Sequence, residues 1–123
     1  GAIGNAIQIG YAQNLSRNTD VGTTTINTTG ASDALYTVDA DINCDSAVST
    51  GVATLTVTFT DTSNTVQTYT ASAACTALGS SSIGSIRQAF RAKASTNIQY
   101  GVTHAGTQPT FDTSVAVNQL STN

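Results

Sequence analysis

VATLTVTFTDTSNTVQTYTASAAC, residues 52–75, is the stretch that decides the fold class. Ala53, Leu55, Val57 and Phe59 take every second position, and Thr54, Thr56, Thr58 and Thr60 fill the places between. Successive side chains of a strand point to opposite faces, so this pattern describes a strand with one apolar and one hydroxyl face. Asp61-Thr62-Ser63-Asn64 follows, and short polar side chains of this kind bond to nearby backbone and favour turns. Thr65–Cys75 then returns with Tyr69, Ala71, Ala73 and Cys75 in phase. Two alternating runs around a polar turn predict an antiparallel hairpin.

The same alternation extends outward in both directions. Upstream, Tyr36, Val38, Ala40, Ile42 and Cys44 point one way, while Thr37, Asp39, Asp41 and Asn43 point the other. Downstream, Ile86, Phe90, Ala92 and Ala94 are read as inward and Arg87, Arg91 and Lys93 as outward. Residues 83–93 also fit a helical spacing, I-x-x-I-x-x-x-F, and the strand is the preferred reading. Ile98, Tyr100 and Val102 mark a further strand, residues 105–109 a turn, and Phe111, Val115 and Val117 a last strand with Leu120 near its end. Residues 16–33 read as a polar loop with a short edge strand at 23–28, and residues 78–85 as a connection. Ile7, Ile9 and Tyr11 are expected to share one face of a first strand, with Leu15 beyond.

About eight strands and no convincing long helix predict an all-β protein. Antiparallel strands with one wet face explain the alternation, and two packed sheets bury the other face. The expected fold is an antiparallel β-sandwich, immunoglobulin-like or jelly-roll-like. The absence of Trp disfavours a standard antibody-type domain. A chain of 123 residues holds one such domain, here 16–123, preceded by an extended N-terminal strand arm, 1–15.

Composition narrows the function classes. Twenty-three Thr and thirteen Ser stand against four basic and seven acidic side chains, with no Glu. A formal charge of −3 argues against nucleic-acid binding, which draws on basic patches that displace counterions. No apolar run approaches a membrane span. The start at Gly1 lacks the basic and apolar regions of a targeting segment. Cys44 and Cys75 are the only cysteines, and a disulfide between them is favoured over two buried thiols, in keeping with an extracellular or cell-surface setting.

Candidate chemistry is sparse. Asp39-Ala40-Asp41-Ile42-Asn43-Cys44-Asp45 spaces oxygen ligands like the start of a calcium loop, but Cys44 replaces the turn-making Gly and Thr50 stands where a bidentate Glu belongs. The solvent face of a strand explains the pattern equally, so no metal site and no cofactor are expected. Arg87, Arg91 and Lys93 can meet Asp39 and Asp41 across neighbouring strands. His104 is the sole imidazole, no G-x-S-x-G elbow accompanies it, and an exposed position beside a turn is expected. No spacing selects a catalytic pair, and the chain is not expected to be an enzyme. Asn14-Leu15-Ser16 and Asn27-Thr28-Thr29 have the form of glycosylation acceptors.

The arm GAIGNAIQIGYAQNL can complete either its own sheet or a neighbour's. In the second case Ile7, Ile9 and Tyr11 would be intersubunit plugs, and Gly4 and Gly10 would permit close approach. That arm, the Thr-rich strands and the Cys44–Cys75 pair resemble secreted, self-assembling β-sandwich fibre subunits of the donor-strand pilin kind. The run IRQAFRAKASTNIQYGVTHAGTQPTFDTSVAVNQLS also resembles the ends of small β-proteins of bacteria and their viruses. The pilin resemblance implies a structural subunit of an extracellular filament or pilus-like appendage. Its partners would be copies of itself in a head-to-tail polymer, with surface glycans as further partners. The alternatives are a virus capsid, decoration or tail protein, and a carbohydrate-binding or adhesin module.

Overall fold

The computed structural model describes residues 7–122. The strands are β1 (Ile7–Arg17), β2 (Val21–Thr28), β3 (Ala34–Cys44), β4 (Val52–Thr60), β5 (Val66–Ala74), β6 (Ile83–Ala92), β7 (Asn97–Ala105) and β8 (Phe111–Thr122), with one 3-10 turn at Ser80–Ser82. They form two four-stranded sheets, ordered β1-β8-β3-β6 and β2-β7-β4-β5. The first strand pairs with the last, the second with the seventh, the third with the sixth and the fourth with the fifth, all antiparallel. β3–β8 and β4–β7 contacts then join these pairs into sheets. A long hairpin wrapped over itself gives this order, which is that of a jelly roll and not of an immunoglobulin domain.

The central hairpin forms as its alternation requires, from Val52↔Ala74 to Thr60↔Val66. Asp61 builds the turn. Its Oδ1 accepts the backbone N–H groups of Ser63 and Thr65, both at 2.9 Å, and its Oδ2 accepts Gln67 Nε2 at 2.8 Å. These bonds, Gln67 foremost, hold the Asp61 carboxyl below its ordinary pKa. The segment 83–93 is resolved in favour of a strand, β6, in register with β3 from Ala34↔Ala92 to Asn43↔Ile83. Ala94 lies beyond its end and instead donates its backbone N–H to Asp33 Oδ1 at 2.8 Å.

Two stretches differ from expectation. The polar segment 16–33 is less of a loop than expected: it holds the end of β1, the connecting residues 18–20 and 29–33, and the expected edge strand, which runs longer, as β2 from Val21 to Thr28. Register shifts between Val21 and Thr24 and between Thr25 and Asn27 break its alternation, so its period is invisible in sequence. Ile7, Ile9 and Tyr11 do not share a face either. A register shift between Gln8 and Gly10 leaves Ile9 against the core while Tyr11 pairs with Ala116 on the outer face. Ala12 and Asn14 continue the inward row opposite Val115 and Thr113.

The core lies between the sheets. Tyr36, Val38 and Ile42 of β3 and Phe111, Val115 and Val117 of β8 face Leu55, Val57, Ile98 and Val102, all fully buried. One end of the core is aromatic. Phe90 lies 5.7 Å from Tyr36 and 4.2 Å from Phe59, ring centre to ring centre, and Phe59 lies 5.6 Å from Tyr69. The Tyr36 hydroxyl is buried without a hydrogen bond of good geometry among the described residues. Burial pushes the phenol pKa up, and the nearby Gly30 backbone, which does not meet that geometry, offsets only part of it. Tyr36→Phe keeps the ring and removes the stranded hydroxyl. It should raise the unfolding free energy by about 1 kcal/mol in urea titrations, and a loss of that size would reveal a partner for the hydroxyl.

The connections gather at two ends. At one, Val48 N donates to Cys75 O at 2.7 Å, Cys75 N to Gly51 O at 2.8 Å and Asp45 N to Thr110 O at 2.9 Å. The Cys44–Cys75 disulfide crosses there from the end of β3 to the residue after β5, tying one sheet to the other with Cα atoms 5.5 Å apart. At the opposite end Thr29 N donates to Thr96 O at 2.8 Å and Thr29 Oγ1 to Lys93 O at 2.7 Å.

Candidate functional surfaces

A sandwich built from short connections offers three kinds of surface: its edges, its two outer faces and its ends. β1 is an edge of the first sheet and pairs with β8 of the same chain along its length. Residue 15 falls inside β1, with no break where the arm was expected to end. Ile7 and Leu15 are each 66% exposed and Tyr11 51%, so the edge carries apolar side chains that its own fold leaves uncovered. Gly10 does permit a close approach, but to β2 of its own chain: a Cβ there would stand 2.6 Å from Ile26 Cγ2. Gly4 lies outside the described residues.

The outer face of the first sheet carries a charge cluster. Arg87 Nη2 meets Asp41 Oδ1 at 2.9 Å, Arg87 Nε meets Asp39 Oδ1 at 3.5 Å, and Nη1 donates to Ala40 O at 2.8 Å. These groups are about half exposed, so the cluster stabilises the sheet only modestly. Arg91 stands opposite Leu35, and Lys93 lies past β6 and donates to Asn64 Oδ1 at 3.0 Å. Leu78 and Ile83, both more than half exposed, flank a depression of about 490 Å³ that Asp41, Asn43 and Ser114 also line.

Two acids meet at the disulfide end. Asp112 accepts the Ser16 backbone N–H at 2.7 Å, which fixes the end of β1. Burial, together with a hydrogen bond to and repulsion by Asp112, raises the Asp45 pKa above the ordinary value. A carboxyl with a raised folded pKa costs stability above that pKa, and the cost disappears as pH falls through the folded and then the unfolded value. Asp45→Asn should therefore raise the melting temperature at pH 7, and the gain should shrink to nothing below about pH 4. A pH-independent difference would place its cause elsewhere. Among the described residues no three His, Cys, Asp or Glu side chains are placed to hold a metal ion.

The outer face of the second sheet is a field of hydroxyls. Thr54, Thr56, Thr58 and Thr60 of β4 lie between Thr68, Thr70 and Ser72 of β5 and Gln99, Gly101 and Thr103 of β7. Thr54 Oγ1 bonds Ser72 Oγ at 3.1 Å, and Gln99 Nε2 donates to Thr25 Oγ1 at 3.1 Å. Near the middle a groove of about 380 Å³ opens where Gly101 offers no side chain. A Cβ on Gly101 would stand 3.1 Å from the Val21 carbonyl, so glycine here lets the irregular start of β2 pass close over β7. Asp20 closes one end of the groove, its Oδ1 2.6 Å from His104 Nδ1. The residues of this pair are 84 positions apart, and nothing local in sequence joins them.

The acceptor-type sequons part company. Asn14 points between the sheets, where its Nδ2 donates to Tyr100 Oη at 3.0 Å and Thr113 Oγ1 at 3.1 Å. An amide committed to two inward bonds is not presented for sugar attachment in the folded chain. Asn27 is half-buried on β2 opposite Ile98.

No family model matches the chain. No curated protein matches it either. Among solved structures it is similar to a chain from the structure titled "Acidic stable capsid structure of Helicobacter pylori bacteriophage KHP30". That likeness has a TM-score of 0.55 at 13% identity and covers 97% of this chain and 90% of the other, so the two share a fold from end to end.

Proposed function

We propose that this chain is a structural subunit of a virus particle, a capsid, decoration or tail component that works by packing against copies of itself. One observation carries the reading: the jelly-roll strand order takes up nearly the whole chain, and over that whole length the fold matches a phage capsid chain. Low charge reduces repulsion between stacked copies and makes their contacts less sensitive to salt. The Cys44–Cys75 bond suits a particle that leaves the cell for an oxidising medium. Catalysis and cofactors have no part in this reading.

A filament held by strand donation is the second reading, and the exposed Ile7, Tyr11 and Leu15 favour it. It requires β1 to leave β8 and give up the pairing from Ile7↔Gln119 to Arg17↔Phe111. The particle reading makes no such demand. Tyr11 and Ala116 are direct partners, so Tyr11→Cys with Ala116→Cys can tether β1 at home. Negative-stain microscopy of the tethered and natural proteins at rising concentration is the test. Rings or closed shells in both are expected. Fibres that the tether abolishes would establish strand donation instead, and a monomer at every concentration would sink both readings.

A further inference from the structure

We propose that the groove over Gly101 binds a neutral sugar residue. The groove is built, not incidental. Its floor is the backbone of a central strand at a glycine, and Thr56, Thr58 and Thr103 wall it from the sheet while Thr23 closes it from β2. Of the other hydroxyls on this face, those of Thr54, Ser72 and Thr25 are engaged, while those of Thr60, Thr68 and Thr70 lie outside the groove with no partner among the described residues. Those of Thr23, Thr56, Thr58 and Thr103 have no partner among the described residues, so each offers one donor and two acceptor positions to a ligand. At about 380 Å³ the groove falls within the ordinary range of small-molecule sites.

Asp20 supplies the one strong acceptor, and the fold holds it in place. His104 Nδ1 lies 2.6 Å from Asp20 Oδ1. Arg17 grips the same loop from the other side, its Nη2 donating to Asp20 O at 2.8 Å and its Nε to Thr19 O at 3.1 Å. A pre-ordered acceptor loses little entropy on binding. Its charge also chooses the ligand. Apart from Asp20 the groove has no charged side chain, and no base lines it to receive an anion. That disfavours an anion, and the row of threonine hydroxyls fits an uncharged polyol whose hydroxyls donate to the carboxylate and exchange bonds with the threonines. Threonine methyl groups and the Gly101 backbone give its C–H face an apolar seat. A site without an aromatic platform binds weakly, at millimolar strength, and repetition over a particle can raise the avidity about 10²–10⁴-fold. The site belongs to the single chain and does not depend on the particle reading.

The test is an amide-resolved NMR titration of the isotope-labelled protein with the methyl glycosides of glucose, mannose and galactose, and separately with sialic acid. Saturable shifts at Thr23, Thr56 and Gly101 are expected with at least one neutral glycoside and not with sialic acid. Thr56→Val with Thr103→Val keeps the side-chain shape and should weaken that binding about tenfold, while Thr68→Val, outside the groove, should leave it unchanged. The proposal is overturned by the absence of saturable shifts with all three neutral glycosides, by a preference for sialic acid, or by equal binding in the double variant.

Discussion

Replacing Phe90 by Ala should lower the unfolding free energy by about 3–5 kcal/mol, the largest loss expected from a single substitution in this chain. Phe90 is 5% exposed although it sits on β6, an edge strand. Its ring contacts Tyr36 of β3 in its own sheet and Phe59 of β4 and Tyr69 of β5 in the other. No other ring in that cluster is contacted by all the rest. Removing it takes apolar surface out of the core and leaves a space that rings anchored to two sheets cannot close together. Phe90→Leu fills most of that space and should cost less than about 1.5 kcal/mol. Urea titration of both variants checks this, with the midpoint falling and the slope unchanged. A loss below about 1 kcal/mol for Phe90→Ala would mean that the edge collapses freely and the cluster does not hold the sheets together.

The second large effect belongs to the disulfide. Changing Cys44 and Cys75 together to Ser should lower stability by roughly 3.5 kcal/mol on the chain-entropy account. The bond spans 31 positions of sequence and links β3 to the end of β5 across the sandwich. Both half-cystines are buried, so reduction in the folded state should be slow and should speed up as denaturant opens the end. Chemical denaturation of the double variant, with intact mass confirming the bond in the natural protein, measures the loss. A change within about 0.5 kcal/mol would show that the hydrogen bonds of Val48, Gly51 and Cys75 suffice to close that end. Phe90 pairs with Tyr36, which lies eight residues from Cys44 along β3, roughly 26 Å at about 3.3 Å per residue, so the two effects should add. Their sum, about 7 kcal/mol, approaches the whole stability of an ordinary domain, and the combined variant should be largely unfolded at 37 °C.

β3, β4, β5, β7 and β8 are legible in the sequence because each has one dry and one wet face. Burial there follows the alternation almost residue by residue, as in Tyr36, Val38, Ala40 and Ile42. β6 is legible once Arg87 is seen to fall opposite Asp39, which a helix would not arrange. β1 and β2 are harder. Their register shifts fall at Ile9, at residues 15–16, at residues 22–23 and at Ile26, and one extra residue reverses every side chain that follows. Tyr11 is for that reason outside and Asn14 inside. An edge strand has a neighbour on one side only, and that leaves room for such irregularities. The sugar-sized groove is not legible at all, because Asp20, Thr56, Gly101 and His104 come from a loop and two strands far apart in sequence.

What the residue order determined by itself is the class of this protein: alternating apolar and hydroxyl positions allow little other than a pair of antiparallel sheets, and two cysteines at the ends of inward rows are placed to be joined. What only the tertiary structure decided is which strand lies beside which. Alternation records the side a residue faces, a local property of the pleat. Neighbourhood depends on contacts between distant segments, and the pairing of Ile7 with Gln119 has no trace in the sequence around either. The choice of jelly roll over immunoglobulin order, the home pairing of β1 and the groove above Gly101 all follow from those distant contacts.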